Sequence, residues 1–115
     1  MLRVLIVEDE PILALDLSQQ LRKRGFIVAG VARAVAEAFV LFEHVEFNVA
    51  ILDVNLDGET AAPLAAWLLA EDVPFVAVTG YSKEQCPPEF ANSTVVTKPI
   101  RINRLVRELE NTQVR

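Results

Sequence analysis

Carboxylates, a hydroxyl and an amine recur at the ends of short apolar runs in this chain. Glu8, Asp9 and Glu10 follow "LRVLIV", Asp53 closes "VAILD", Thr79 and Gly80 end "PFVAVT", and Lys98 and Pro99 follow "TVVT". An aspartate is a poor strand residue and is costly to bury without a partner, so a carboxylate at the lip of an apolar strand calls for a reason. Taken one at a time, these are ordinary turn residues. Taken together, they describe a reaction site. Crowded carboxylates raise one another's pKa unless a cation neutralises them, which makes Asp9 and Asp53, with Glu8 beside them, candidates to hold a hard cation. Mg²⁺ fits, because it prefers oxygen ligands, keeps several waters and commonly sits where phosphate is handled. Lys98 then supplies a point charge for an anion in the same crevice, and Thr79 a hydroxyl donor to one of its oxygens. A phosphoryl group is the anion that matches. Asp53 would accept it by nucleophilic attack while metal and lysine neutralise the charge that develops.

These residues meet only if the strands are parallel neighbours. Short apolar runs alternate with longer helical patterns from end to end, as in a parallel sheet wrapped by helices. The runs at 2–7, 26–31, 49–53, 74–79 and 94–97 predict five strands, and the central ones are nearly continuous in apolar character, as expected of strands covered on both faces. In an open parallel sheet the carboxyl ends of such strands line one crevice, where ligands bind.

Pro11 suits a first helical turn, Leu13, Leu17 and Leu21 recur every four residues, and Gly25 supplies the helix end. A second helix is predicted over about 34–43 and a third over about 60–71, with Pro63 in its first turn and Leu64 and Leu68 facing the sheet. In the last helix Ile102, Leu105, Val106 and Leu109 form an apolar stripe, with Arg101, Arg104 and Arg107 on a solvated face. Only "YSKEQCPPEFANS" remains for a fourth. Pro87 and Pro88 would break a helix there, which predicts one short turn or a mobile loop.

The chain has 115 residues, 52% of them hydrophobic and 23% charged, which predicts one globular domain over 1–115 with a generous core. A formal net charge of -5 argues against a nucleic-acid partner, because binding phosphate backbones needs clustered Lys and Arg. No stretch approaches the length of a membrane span, and the first residues are too short and too quickly acidic for a secretory signal. The single cysteine, Cys86, forms no internal disulfide and fits a reducing compartment, so a cytoplasmic location is expected. His44, Cys86 and Trp67 are assigned no chemistry.

The motifs "VEDE", "LDVNLDG", "VTGY" and "TKP", in that order and after those strands, make the chain resemble the receiver domain of two-component response regulators. The resemblance spans essentially the whole chain. It implies a flavodoxin-like three-layer α/β sandwich with strand order 2-1-3-4-5 and five helices, the fourth short or irregular. It implies phosphotransfer from a sensor histidine kinase, or a phosphotransfer protein, to Asp53. Mg²⁺ would be held by Asp9, Asp53 and the backbone carbonyl of Asn55, with Glu8 acting through water. The peptide joining Lys98 to Pro99 is usually cis in such domains. The family usually places an aromatic switch residue three positions before the lysine, and this chain has Val95 there. The stretch "PFVAVTGYS" resembles the "PFxFATGY" signature of a receiver subgroup, often single-domain, that pairs with kinases of the HWE type. The downstream partner is left open, as is the choice between monomer and homodimer.

Two rival readings use the same residues. A Mg²⁺-dependent phosphohydrolase of the haloacid dehalogenase type also has a nucleophilic aspartate at a strand end, but wants a second acid two residues on, where this chain has Asn55. A receiver-like binding module that has lost phosphorylation would not need the set of Asp9, Asp53, Thr79 and Lys98.

Overall fold

The computed structural model describes residues 2–113. Each apolar run becomes a strand: β1 (Arg3–Val7), β2 (Ile27–Ala32), β3 (Val49–Asp53), β6 (Phe75–Thr79) and β7 (Thr94–Thr97). They pair in parallel in the order β2-β1-β3-β6-β7. Counted along the parallel strands alone, this is the expected order 2-1-3-4-5. A further pair, β4 (Asn55–Leu56) and β5 (Glu59–Thr60), makes a small antiparallel hairpin between β3 and the helix that follows.

Side chains alternate across the pleat, so each strand contributes to both faces. Val4, Ile6, Val49, Ile51, Val76 and Val78 meet Leu17 and Leu21 of α1 (Pro11–Lys23) and Leu105 and Leu109 of α4 (Ile102–Asn111). On the other face Leu5, Ala50, Leu52 and Phe75 meet Phe42 of α2 (Val35–His44), Leu64 and Leu68 of α3 (Ala62–Ala70), and Phe90. Burying a Leu, Ile or Val contributes roughly 1.5–3 kcal/mol. That fixes β3 at the centre of the sheet and lets it carry an aspartate inside at its last position.

Among the described residues there are four α-helices, not five. Residues 80–93 contain two 3₁₀ turns, Lys83–Gln85 and Pro88–Phe90. The first is closed by the Ser82 N–H donating to Gln85 Oε1 at 2.9 Å, and Pro87 and Pro88 stop its continuation. Phe90 nevertheless anchors the segment: it is fully buried and stands edge-on to Phe75, with ring centroids 6.1 Å apart.

The hairpin corrects a sequence expectation. The sequence places the third helix from about residue 60, directly after "NLDG". Instead Asp57 and Gly58 both take positive φ (50° and 85°) and close a two-residue hairpin loop before α3 begins at Ala62.

Candidate functional site

Every strand end that carried chemistry in the sequence opens on one crevice. Asp9, Asp53, Thr79, Gly80 and Lys98 line a depression of about 320 Å³, together with Asn55, Asp57 and Tyr81. Asp53 is 4% exposed and Glu8, beneath it, 2%. Carboxylate oxygens of Glu8, Asp9 and Asp53 lie within 4.8 Å of one another.

One cation offsets this charge. Lys98 Nζ donates to Asp53 Oδ2 at 2.9 Å and to Glu8 Oε1 at 3.5 Å, and lies 4.0 Å from Glu10 Oε1. Backbone donors fix the acids. The Asn55 N–H donates to Asp53 Oδ1 at 3.1 Å, the Asp57 N–H to Asp9 Oδ2 at 2.8 Å, and the Glu10 N–H to Glu8 Oε1 at 3.2 Å. The hairpin is therefore part of the site. The Asp57 backbone contact was missed in the sequence, although the Asp57-Gly58 dipeptide is a strong hairpin signal.

The electrostatics record an excess of negative charge. Burial, followed by the hydrogen bond and charge of Asp53, pushes the Glu8 carboxyl up to about 8, against the opposing charge of Lys98 and the Glu10 backbone donor. For Lys98 burial acts to lower the pKa, but Asp53, Glu8 and Glu10 together hold the ammonium above its ordinary value. Converging oxygen donors with more charge than one lysine neutralises fit a small, hard dication.

Thr79 is buried, and its Oγ1 accepts from the Tyr81 N–H at 3.0 Å. The backbone N–H of Lys98 donates to the Thr79 carbonyl at 2.8 Å, which ties the start of the lysine's loop to the end of β6. Cys86, given no role in the sequence, is half-buried, and its thiol donates to the Ser82 carbonyl at 3.6 Å. Val95 is half-buried against the core on the α3 side, an aliphatic contact where an aromatic ring would have to find room. The Lys98–Pro99 peptide is cis. His44 is exposed, as are Arg101, Arg104 and Arg107, while Trp67 packs on Phe42 with ring centroids 5.0 Å apart.

Residues 4–110 match the family model of the response regulator receiver domain. The chain belongs to this family. Receivers of this kind serve phosphorelay signalling as phosphoacceptor switches and interact with histidine kinases or phosphotransfer proteins. Among solved structures, the receiver is similar to SdrG of Sphingomonas melonis, with 36% identity over 99% of this chain and 98% of that one and a TM-score of 0.85. Its flavodoxin-like fold also matches TrrA of Thermotoga maritima, solved in complex with Mg²⁺-BeF, at 23% identity, 97% and 99% coverage and a TM-score of 0.86. A curated relative, the transcriptional regulatory protein PdtaR of Mycobacterium tuberculosis, is 28% identical over 94% of this chain and 55% of its own length. The receiver thus spans about half the length of the curated relatives it matches. No helix among the described residues is long and apolar enough to cross a membrane.

Proposed function

We propose that the domain is a phosphorylation switch in which Asp53 is the acceptor. The observation that carries this reading is the seat of Asp53: a buried carboxylate at the end of the central strand, hydrogen-bonded to Lys98 and converging with Glu8 and Asp9. An oxygen of Asp53 forms the new O–P bond as the donor's N–P bond breaks. The electron pair stays on the histidine ring nitrogen, which takes up a proton. Lys98 neutralises charge on the phosphoryl oxygens in transit. Asp9 and Asp53, with the Asn55 carbonyl and Glu8 through water, would hold Mg²⁺, which when bound neutralises the oxygens shared by acceptor and phosphoryl group.

Thr79 is the switch hydroxyl. Its Oγ1 accepts from the Tyr81 N–H, a contact with the segment that leads to Phe90. Turning the hydroxyl toward a phosphoryl group breaks this contact and shifts the equilibrium of residues 80–93, with no aromatic partner at Val95. The phosphohydrolase reading loses ground, because Asn55 carries an amide where a general acid would be required. The "PFVAVTGYS" stretch and the 3₁₀ turns that stand in place of a helix between β6 and β7 support the subgroup that pairs with HWE-type kinases.

The test is transfer of labelled phosphate from an autophosphorylated HWE-type kinase. Label should appear on the wild-type chain and be absent from Asp53→Asn. Label on both proteins would sink the assignment of the acceptor.

A further inference from the structure

A second concave site lies at the opposite pole of the sheet, where β6 and β7 begin. It has a volume of about 380 Å³, and its floor is formed by Leu68, Val73 and Phe75. The groove exists because residues 80–93 form 3₁₀ turns rather than an α-helix. Phe90 plugs the helix layer at one point, and the space beside it stays open between the end of α3 and the segment entering β7. The walls include Pro74 and Pro88, whose fixed φ keeps the groove formed before anything enters it. Leu69, on the last turn of α3, extends the apolar floor outward and is 55% exposed.

The rim is polar and acidic. Asn92, Ser93 and Thr112 offer amide and hydroxyl groups, and Asp72 and Glu89 are the charged lining residues, with no Lys, Arg or His among them. Asp72 has an interaction of its own, which leaves Glu89 as the carboxylate for an incoming cation. Glu89 forms no ion pair among the described residues. An apolar centre ringed by polar groups is the anatomy of a protein interface, and a preformed pocket of this size takes one large anchoring side chain.

We propose that this groove docks a segment of a partner protein that presents one aromatic or branched aliphatic side chain next to a Lys or Arg. The apolar side chain covers Leu69, Val73 and Pro74, which keep apolar surface open to solvent above the buried Leu68 and Phe75, and the cation meets Glu89. The amides and hydroxyls of Asn92, Ser93 and Thr112 pair with the segment's backbone. A second copy of the chain is the poorer occupant, because it brings a net charge of -5 to an acidic rim. The proposal stands apart from phosphoacceptance by Asp53.

The test is selection of random twelve-residue peptides displayed on phage against the immobilised full chain, followed by binding measurements with synthetic copies of the enriched peptides. Enriched sequences should pair an apolar residue with an adjacent Lys or Arg. Binding should weaken about tenfold or more in Leu69→Glu and in Glu89→Lys, each a loss of about 1.4 kcal/mol or more. Amide signals should shift at residues 68–75 and 88–94. Leu69 is exposed, so its variant folds, which circular dichroism checks. Glu89→Lys carries its own control, since peptides with the base replaced by Glu should regain binding to it. Absence of enrichment, or enriched peptides indifferent to both variants, would overturn the proposal. Self-association in sedimentation that Leu69→Glu abolishes would also overturn it, in favour of a dimer contact.

Discussion

Glu8 lies under Asp53 and Lys98, almost out of contact with water, and its carboxyl is pushed up to about 8 by burial and by Asp53. Between the ordinary value of 4.5 and about 8, the folded chain therefore binds more protons than the unfolded chain. Stability from this group is fully present below pH 4.5 and is lost as the pH rises through about 8. Without divalent cations, the urea midpoint should fall from pH 5 to pH 8.5, by an amount equivalent to about 1–3 kcal/mol. Glu8→Gln should flatten most of that fall, and added Mg²⁺ should restore stability to the wild type at the alkaline end. Parallel pH profiles for the two proteins would refute this account of Glu8. Lys98 sits at the same junction, and its raised pKa keeps it charged throughout that range.

The hairpin of β4 and β5 is the element that ties backbone geometry to the site. Gly58 holds φ at 85°, and nothing lies within 4 Å of where a Cβ would stand. Gly58→Ala therefore costs only the backbone strain, about 1–2 kcal/mol. Because the neighbouring Asp57 N–H positions Asp9, the variant should also bind Mg²⁺ more weakly in calorimetric titration. Unchanged affinity would make the hairpin a mere connector. The strands were legible in the sequence, since runs such as "VAILD" and "PFVAVT" admit little but a central parallel strand, while their order came from the resemblance to receiver domains. The convergence of Glu8, Asp9, Asp53, Thr79 and Lys98 followed from that order. Two features were not legible. The Asp57-Gly58 dipeptide signals a turn, but the two-residue strands that flank it carry no periodicity to show the hairpin. The groove beside Phe90 is set by what the Pro87-Pro88 pair prevents from forming, and an absence leaves no pattern in a sequence.

At the scale of the molecule, the two faces of the sheet differ in how firmly they are covered. Regular helices α1 and α4 close one face, whereas on the other residues 80–93 rest on Phe90 and on short hydrogen bonds around Thr79. Within the two 3₁₀ turns Phe90 alone is buried, and segments with few buried apolar contacts are the kind that open locally. Beryllofluoride with Mg²⁺ should shift the backbone amide signals of residues 79–98 in the wild type. Thr79→Ala should still take up phosphate while losing most of that shift, and equal shifts in both proteins would remove Thr79 from the switch. All of this rests on Asp53 accepting phosphate. The most direct test is intact mass after incubation with a small-molecule phosphodonor, with and without Mg²⁺, on wild type and on Asp53→Asn. One phosphoryl group gained by the wild type, only with metal, and none by Asp53→Asn, is the expected result. An adduct retained by Asp53→Asn would contradict the account, as would an unmodified wild type whose amide signals beryllofluoride also leaves unmoved.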